Sequence, residues 1–260
     1  MMSTMMTPGS ISDLPAVDER LAVPGTRYQV EDGREVYVPP ADEPHGTRHV
    51  KLGALADTHR ADGYSVAADM LTRTSRGDDI APDVSVYPTA RDPQTGRRQL
   101  EALAFEIAST ETLAHAGRQA AKLVARGVRR VFVVDVERKR ALEWSKEAGQ
   151  WSILDRRGQI EDPALAVPIP IEALLDAALA DAALARALRV KRHPEFVAER
   201  GEGRAEGRAE ALLIVLAARG LEPTEAERQR IQKERDLGRL ERWLAAAPTC
   251  ADVAELLAIP

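Results

Sequence analysis

Apolar and polar positions alternate on both sides of Asp32-Gly33 in TRYQVEDGREVYV (26–38). A side-chain period of two marks a half-buried strand, and Asp-Gly supplies the backbone of a tight turn, so this stretch predicts a hairpin. Pro39, Pro40 and Pro44 break the pattern, and a helical stretch over about 45–61 follows, stopping near Gly63. YSVAADMLTRTS (64–75) and PDVSVYP (82–88) read as strands joined by a turn at 77–79. A polar loop, TARDPQTGRR, leads to a further strand over 100–108. In 111–127 the apolar residues 113, 116, 120, 123 and 124 keep helical spacing, and Gly127 supplies the stop. RRVFVVDV (129–136) is an almost unbroken apolar run, as in a strand covered on both faces. Strand, helix and strand in that order imply a crossover and a parallel pair. RALEWS and QWSILD then predict an antiparallel hairpin, and a helix over 172–188 closes the domain. The expected fold is α/β, a mixed sheet flanked by helices with a C-terminal helical extension.

Three regions result: a flexible N-terminal segment (1–24), the α/β domain (25–190) and a helical module (191–260). The module opens with the tandem GRAEGRAE, whose i,i+4 opposite charges suit an exposed helix although its glycines weaken it. Two more helices are expected behind the capping-box patterns Thr224…Glu227 and Thr249…Asp252. Leu237, Leu240, Trp243 and Leu244 would form the inner stripe of the first. This module reads as a packing or partner-contact element.

Composition narrows the function classes. Of 260 residues 44% are hydrophobic, enough for a core, while aromatics are only 4%, so Ala, Leu and Val must do most of the packing. The net charge of −5 excludes a basic footprint over the whole protein. Locally, residues 117–146 hold nine Arg or Lys against three acids, a stripe that could meet phosphates or simply be solvated surface. The lone Cys250 permits neither an intramolecular disulfide nor a cysteine zinc site. The first residues lack a signal-peptide pattern, and no run of 18 apolar residues occurs, so the expectation is a cytoplasmic protein without a membrane span.

One feature needs a chemical explanation. Glu106 interrupts the apolar LAFEIA, and Asp83 follows Pro82 at the start of another strand. A carboxylate inside a sheet costs several kcal/mol unless it is paired, hydrogen-bonded or bound to a cation. Neighbouring strands lie about 4.8 Å apart, so the two carboxylates can converge on one ion. Mg²⁺, with Mn²⁺ as a substitute, takes one or two protein carboxylates and leaves positions for phosphate oxygens; the Ile107 carbonyl could add a ligand. Lys122, returning roughly 15–18 Å along the next helix, could stand beside the ion and assist an attacking water. The bland readings are a turn residue for Asp83 and a solvated helix lysine for Lys122.

The stretch PDVSV, then AFEIAST, a helical lysine and GVRRVFVVD resembles the Uma-type restriction endonuclease family of the PD-(D/E)XK superfamily. The upstream RYQVEDGREVYVPP…PHG is similar to that family's opening hairpin and His-Gly helix start, and the resemblance covers about residues 26–155. It implies metal-dependent hydrolysis of DNA phosphodiesters, with Asp83 and Glu106 as metal ligands and Lys122 as catalytic lysine. Cleavage of both strands would suit a homodimer, by analogy. Three positions depart from the family pattern: Ala108 in the usual lysine slot, Arg118 where an acid precedes the helical lysine, and Gln29 in the hairpin. They keep a second reading open, a nuclease fold without catalysis that acts as a nucleic-acid-binding or protein-interaction scaffold.

Other chemistries fit less well. His45 and His49 in HGTRH have the i,i+4 spacing of a helical metal pair but lack the glutamate of HExxH, so His45 is read as a helix-start or site-edge residue. Asp135 is read as a turn residue, and nothing in the sequence singles out His115. No phosphate-binding GxxxxGK[ST], GxSxG elbow or Rossmann glycine pattern occurs.

Overall fold

The computed structural model describes residues 14–23, 25–108 and 113–260. The chain divides into two compact units, 1–191 and 192–260.

In the first unit the hairpin forms as β1 (Tyr28–Glu31) and β2 (Arg34–Tyr37), with Asp32 and Gly33 both at positive φ. Helix α1 (Glu43–His59) starts where Asp42 caps it, accepting the His45 N–H at 2.9 Å. The stretch expected as one strand over 64–75 is two, β3 (Tyr64–Ala68) and β4 (Thr72–Ser75). Asp69 separates them at positive φ, a conformation Asp tolerates better than most residues. The expected turn at 77–79 is replaced in part by a short strand, β5 (Asp78–Ile80), which pairs with both β1 and β4. A small antiparallel sheet results, in the order β2-β1-β5-β4.

The main sheet holds β6 (Val84–Pro88), β7 (Leu103–Ala108), β8 (Arg130–Asp135), β9 (Arg140–Ser145) and β10 (Gln150–Ile153), with β3 at one edge. Its order is β10-β9-β8-β7-β6-β3; β7 and β8 are parallel and the other pairs antiparallel. Helix α2 (Leu113–Arg126) is the crossover between β7 and β8. A two-stranded ribbon, β11 (Gln159–Ile160) with β12 (Ile169–Pro170), precedes α3 (Ile171–Leu175) and α4 (Ala177–Val190). These two helices take the place of one expected helix. Asp176 divides them, its carboxylate capping α4 through the N–H groups of Ala178 and Leu179.

Both faces of the main sheet are covered. Leu103, Phe105 and Ile107 share a core with Leu52 and Leu55 of α1 and with α3 and α4; Phe105 stacks on Phe132 at 5.1 Å. Ala104 packs with Ala120 and Leu123 of α2, and Ala108 with Ala116. Strand alternation therefore directs Glu106 toward the α2 side, between two alanines.

The segment expected to be flexible is in part docked. Val17 and Ala22 are buried, and the buried Asp79 carboxylate accepts the N–H groups of Leu21 (2.5 Å) and Ala22 (3.1 Å). Residues 1–13 and 24 lie outside the described residues.

In the second unit α5 (Pro194–Ala218) runs through the GRAE repeat, burying Ala205, Ala209, Leu212 and Leu216. The helix expected to contain both Thr224 and Trp243 is broken into α6 (Glu225–Lys233) and α7 (Leu237–Ala246). Thr224 and Glu227 form the expected reciprocal cap of α6. The last helix, α8 (Val253–Leu257), is capped by Asp252 instead of Thr249. Trp243 is fully buried in this unit's own core and donates its indole N–H to Ile259 O.

Candidate active-site cleft

The paired register of β6 on β7 ends with Val84 opposite Phe105, and Asp83 and Glu106 are the next residue of each segment beyond that last pair. Both line a cleft of about 510 Å³ walled by the β1–β2 hairpin, the start of α1 and Gln119 of α2. Glu106 is only 7% exposed.

Asp83 is held on several sides. One carboxylate oxygen accepts the Ile107 N–H at 2.6 Å, and the other accepts His45 Nε2 at 3.0 Å. Its main-chain carbonyl accepts His49 Nε2 in a short contact and also the Asp69 N–H at 3.3 Å. Pro82 precedes β6 and has no N–H to offer the end of β7. The N–H and C=O of a strand residue point to the same edge, so the Ile107 carbonyl lies on the edge where its N–H meets Asp83. The Asp83 and Glu106 carboxylates and the Ile107 carbonyl are oxygen donors of the kind that a hard divalent cation such as Mg²⁺ takes.

Lys122 stands elsewhere. Its ammonium donates to Asp78 at 2.6 Å and Asp32 at 2.8 Å, tying α2 to β5 and the hairpin turn, and it does not line the cleft. Burial alone would lower its pKa, but the hydrogen bonds and charges of Asp32 and Asp78 outweigh that and move it upward. Such a lysine is a fixed cation, unsuited to deprotonating water near neutral pH. The α2 residue at the cleft is Gln119, one turn earlier; it donates to Glu31 Oε1 at 3.0 Å and faces Gln29 Oε1 at 3.4 Å.

The basic stripe is also engaged. Arg130 makes a two-pronged pair with Glu143 (2.6 and 2.9 Å), Arg129 bonds Asp162, and Arg138 and Arg140 bond Asp135. Asp135 thus closes the β8–β9 turn; burial raises its pKa, but the Arg138 N–H and the two guanidinium groups bring it below the usual value. The cationic residues lining the cleft are instead Arg20 and Arg27, both exposed. Nothing in local periodicity marks them; only docking of the N-terminal segment and the hairpin brings them there. The rim also carries Asp69, whose pKa burial raises, with the Asp83 charge adding and His49 and His45 opposing.

No helix among the described residues is long and apolar enough to cross a membrane. No curated protein matches this chain. Among solved structures, the crystal structure of "a putative nuclease belonging to DUF820" from Anabaena variabilis is similar, at 12% identity and a TM-score of 0.47, over 65% of this chain and 98% of that one. The family model described as "Uma2: Putative restriction endonuclease" matches residues 16–178, more than half of the chain. The chain therefore belongs to the Uma2 family.

Proposed function

We propose that this protein is a metal-dependent endonuclease that hydrolyses DNA phosphodiester bonds. The observation that carries the proposal is that Asp83 and the buried Glu106 line one cleft together with Ile107. Asp83, Glu106 and the Ile107 carbonyl would hold Mg²⁺, or Mn²⁺ in its place. The ion, when bound, supplies Lewis acidity and lowers the pKa of a bound water. His45 and the Ile107 N–H fix the Asp83 carboxylate, so its orientation is set before any ligand arrives. Arg20 and Arg27 would seat the phosphate backbone at the mouth of the cleft. In this reading Lys122 positions the hairpin wall and takes no part in proton transfer.

The test is cleavage of plasmid and oligonucleotide DNA with Mg²⁺ or Mn²⁺. Glu106→Ala should abolish cleavage while the thermal unfolding transition persists. Activity surviving in that variant sinks the assignment.

A second reading, a nuclease fold acting as a scaffold, is favoured by Ala108 and by the engagement of Lys122 with two aspartates. It is separated by calorimetric titration: absence of Mg²⁺ and Mn²⁺ binding dependent on Asp83 and Glu106 selects the scaffold.

A further inference from the structure

His45 and His49 lie one turn apart on the first half of α1, with their rings edge-to-face at 5.9 Å between centroids. Both Nε2 atoms turn toward Asp83, and one ligand atom from each of His45, His49 and Asp83 lies within 4.8 Å of the others. The His45 Nε2 to Asp83 Oδ1 spacing is 3.0 Å. Two ligands each about 2.1 Å from one tetrahedral ion are about 3.4 Å apart, so a cation would sit among these atoms in place of the His45–Asp83 hydrogen bond and of the His49 contact with the Asp83 carbonyl. Asp69, at 4.0 Å from His49 Nε2, stands next to the same place as a further oxygen donor.

We propose that His45, His49 and the Asp83 carboxylate form a binding site for a transition-metal dication of the Zn²⁺ or Co²⁺ class, on the α1 wall of the cleft. Imidazole nitrogen suits these ions, whereas Mg²⁺ prefers oxygen alone. The site differs from the all-oxygen set of Asp83, Glu106 and Ile107 by its two nitrogens and shares with it only Asp83. On coordination each imidazole presents its Nε2 lone pair to the ion and carries its proton on Nδ1. The i,i+4 spacing supplies both nitrogens from one helix face, and the missing glutamate of HExxH is no obstacle to binding, since that residue acts as a base and not as a ligand. The proposal does not depend on nuclease activity, because it concerns binding by the free chain.

The experiment is calorimetric titration of the full chain with Zn²⁺ and separately with Mg²⁺, without nucleic acid, together with X-ray absorption of the Zn²⁺-loaded wild-type protein. Wild type should bind one Zn²⁺ with two imidazoles in the absorption fine structure. His49→Gln, whose amide can still donate to the Asp83 carbonyl, should weaken Zn²⁺ by more than about tenfold while leaving Mg²⁺ binding unchanged. Glu106→Ala should bind Zn²⁺ as wild type does. An all-oxygen absorption signature overturns the site whatever the variants do, and so does equal Zn²⁺ affinity in wild type and His49→Gln. Histidine-dependent Zn²⁺ binding without DNA cleavage in Mg²⁺ or Mn²⁺ would uphold this site and remove the nuclease reading.

Discussion

The carboxylate of Asp83 accepts the main-chain N–H of Ile107 at 2.6 Å, just beyond the last paired residues of β6 and β7. That one bond fastens the start of β6 to the end of β7 and leaves the other Asp83 oxygen to His45. An amide at position 83 can keep the first contact through its oxygen, but it has lost the negative charge. Asp83→Asn should therefore unfold at nearly the wild-type temperature while binding Mn²⁺ at least about tenfold more weakly, as read by calorimetry. A large drop in unfolding temperature would show that the carboxylate is chiefly structural.

Lys122→Ala leaves the buried Asp78 without its cation, whereas Asp32 is exposed and loses little. The expected cost is about 1–3 kcal/mol in urea unfolding. The pH dependence follows from Asp78. Burial raises its pKa, but the Asp32 N–H, Lys122 and Ser75 together bring it below the usual value. A carboxyl lowered in the folded state contributes stability that is present above its unfolded pKa, about 3.9, and is lost as pH falls through the folded value. Wild type should thus lose stability in acid below about pH 4, and Lys122→Ala should show a smaller loss over that range.

His59 titrates in a different window. Burial lowers its pKa against the opposing hydrogen bonds to Val167, Pro168 and Ala183, with Lys191 adding to the lowering. The unfolded chain then takes up the proton first, so stability is full above about pH 6.5 and falls as pH drops below it. In His59→Leu that slope between about pH 6.5 and 5 should flatten, which a series of thermal melts would read.

Gly117 faces two indoles. A Cβ there would sit 3.0 Å from Trp144 Cζ3 and 3.3 Å from Trp151 Nε1. Trp151 is anchored by its bond to Leu113 O (3.1 Å) and meets Trp144 edge-on at 5.1 Å. Alanine gains about 1 kcal/mol of helix propensity, but overpacking costs about 1–3 kcal/mol, so Gly117→Ala should be net destabilising by roughly 1 kcal/mol. Tryptophan fluorescence should shift with it; a more stable protein would show that the pair yields easily.

Much of the fold was legible because its signals are local. The Asp-Gly hairpin, the helical spacing of α2, the apolar run of β8 and the parallel pair they imply all follow from side-chain period and connection length. Glu106 was conspicuous for the same reason, a charge inside an apolar strand. What local period cannot carry is the identity of a distant partner. The three residues of β5 read as a turn because their strand character comes only from pairing with β1 and β4. Helical spacing put Lys122 on the correct helix, but whether its ammonium reaches a cleft or two aspartates depends on where the hairpin and β5 pack.

The sequence alone determined the hairpin, the β7–α2–β8 crossover and the burial of Glu106, since these are consequences of pattern. Only the tertiary structure decided that His45 and His49 meet Asp83, that Arg20 and Arg27 line the cleft, and that the basic stripe is largely taken up by acids. Those are contacts between segments far apart in the chain, fixed by how helices and hairpin close over the sheet.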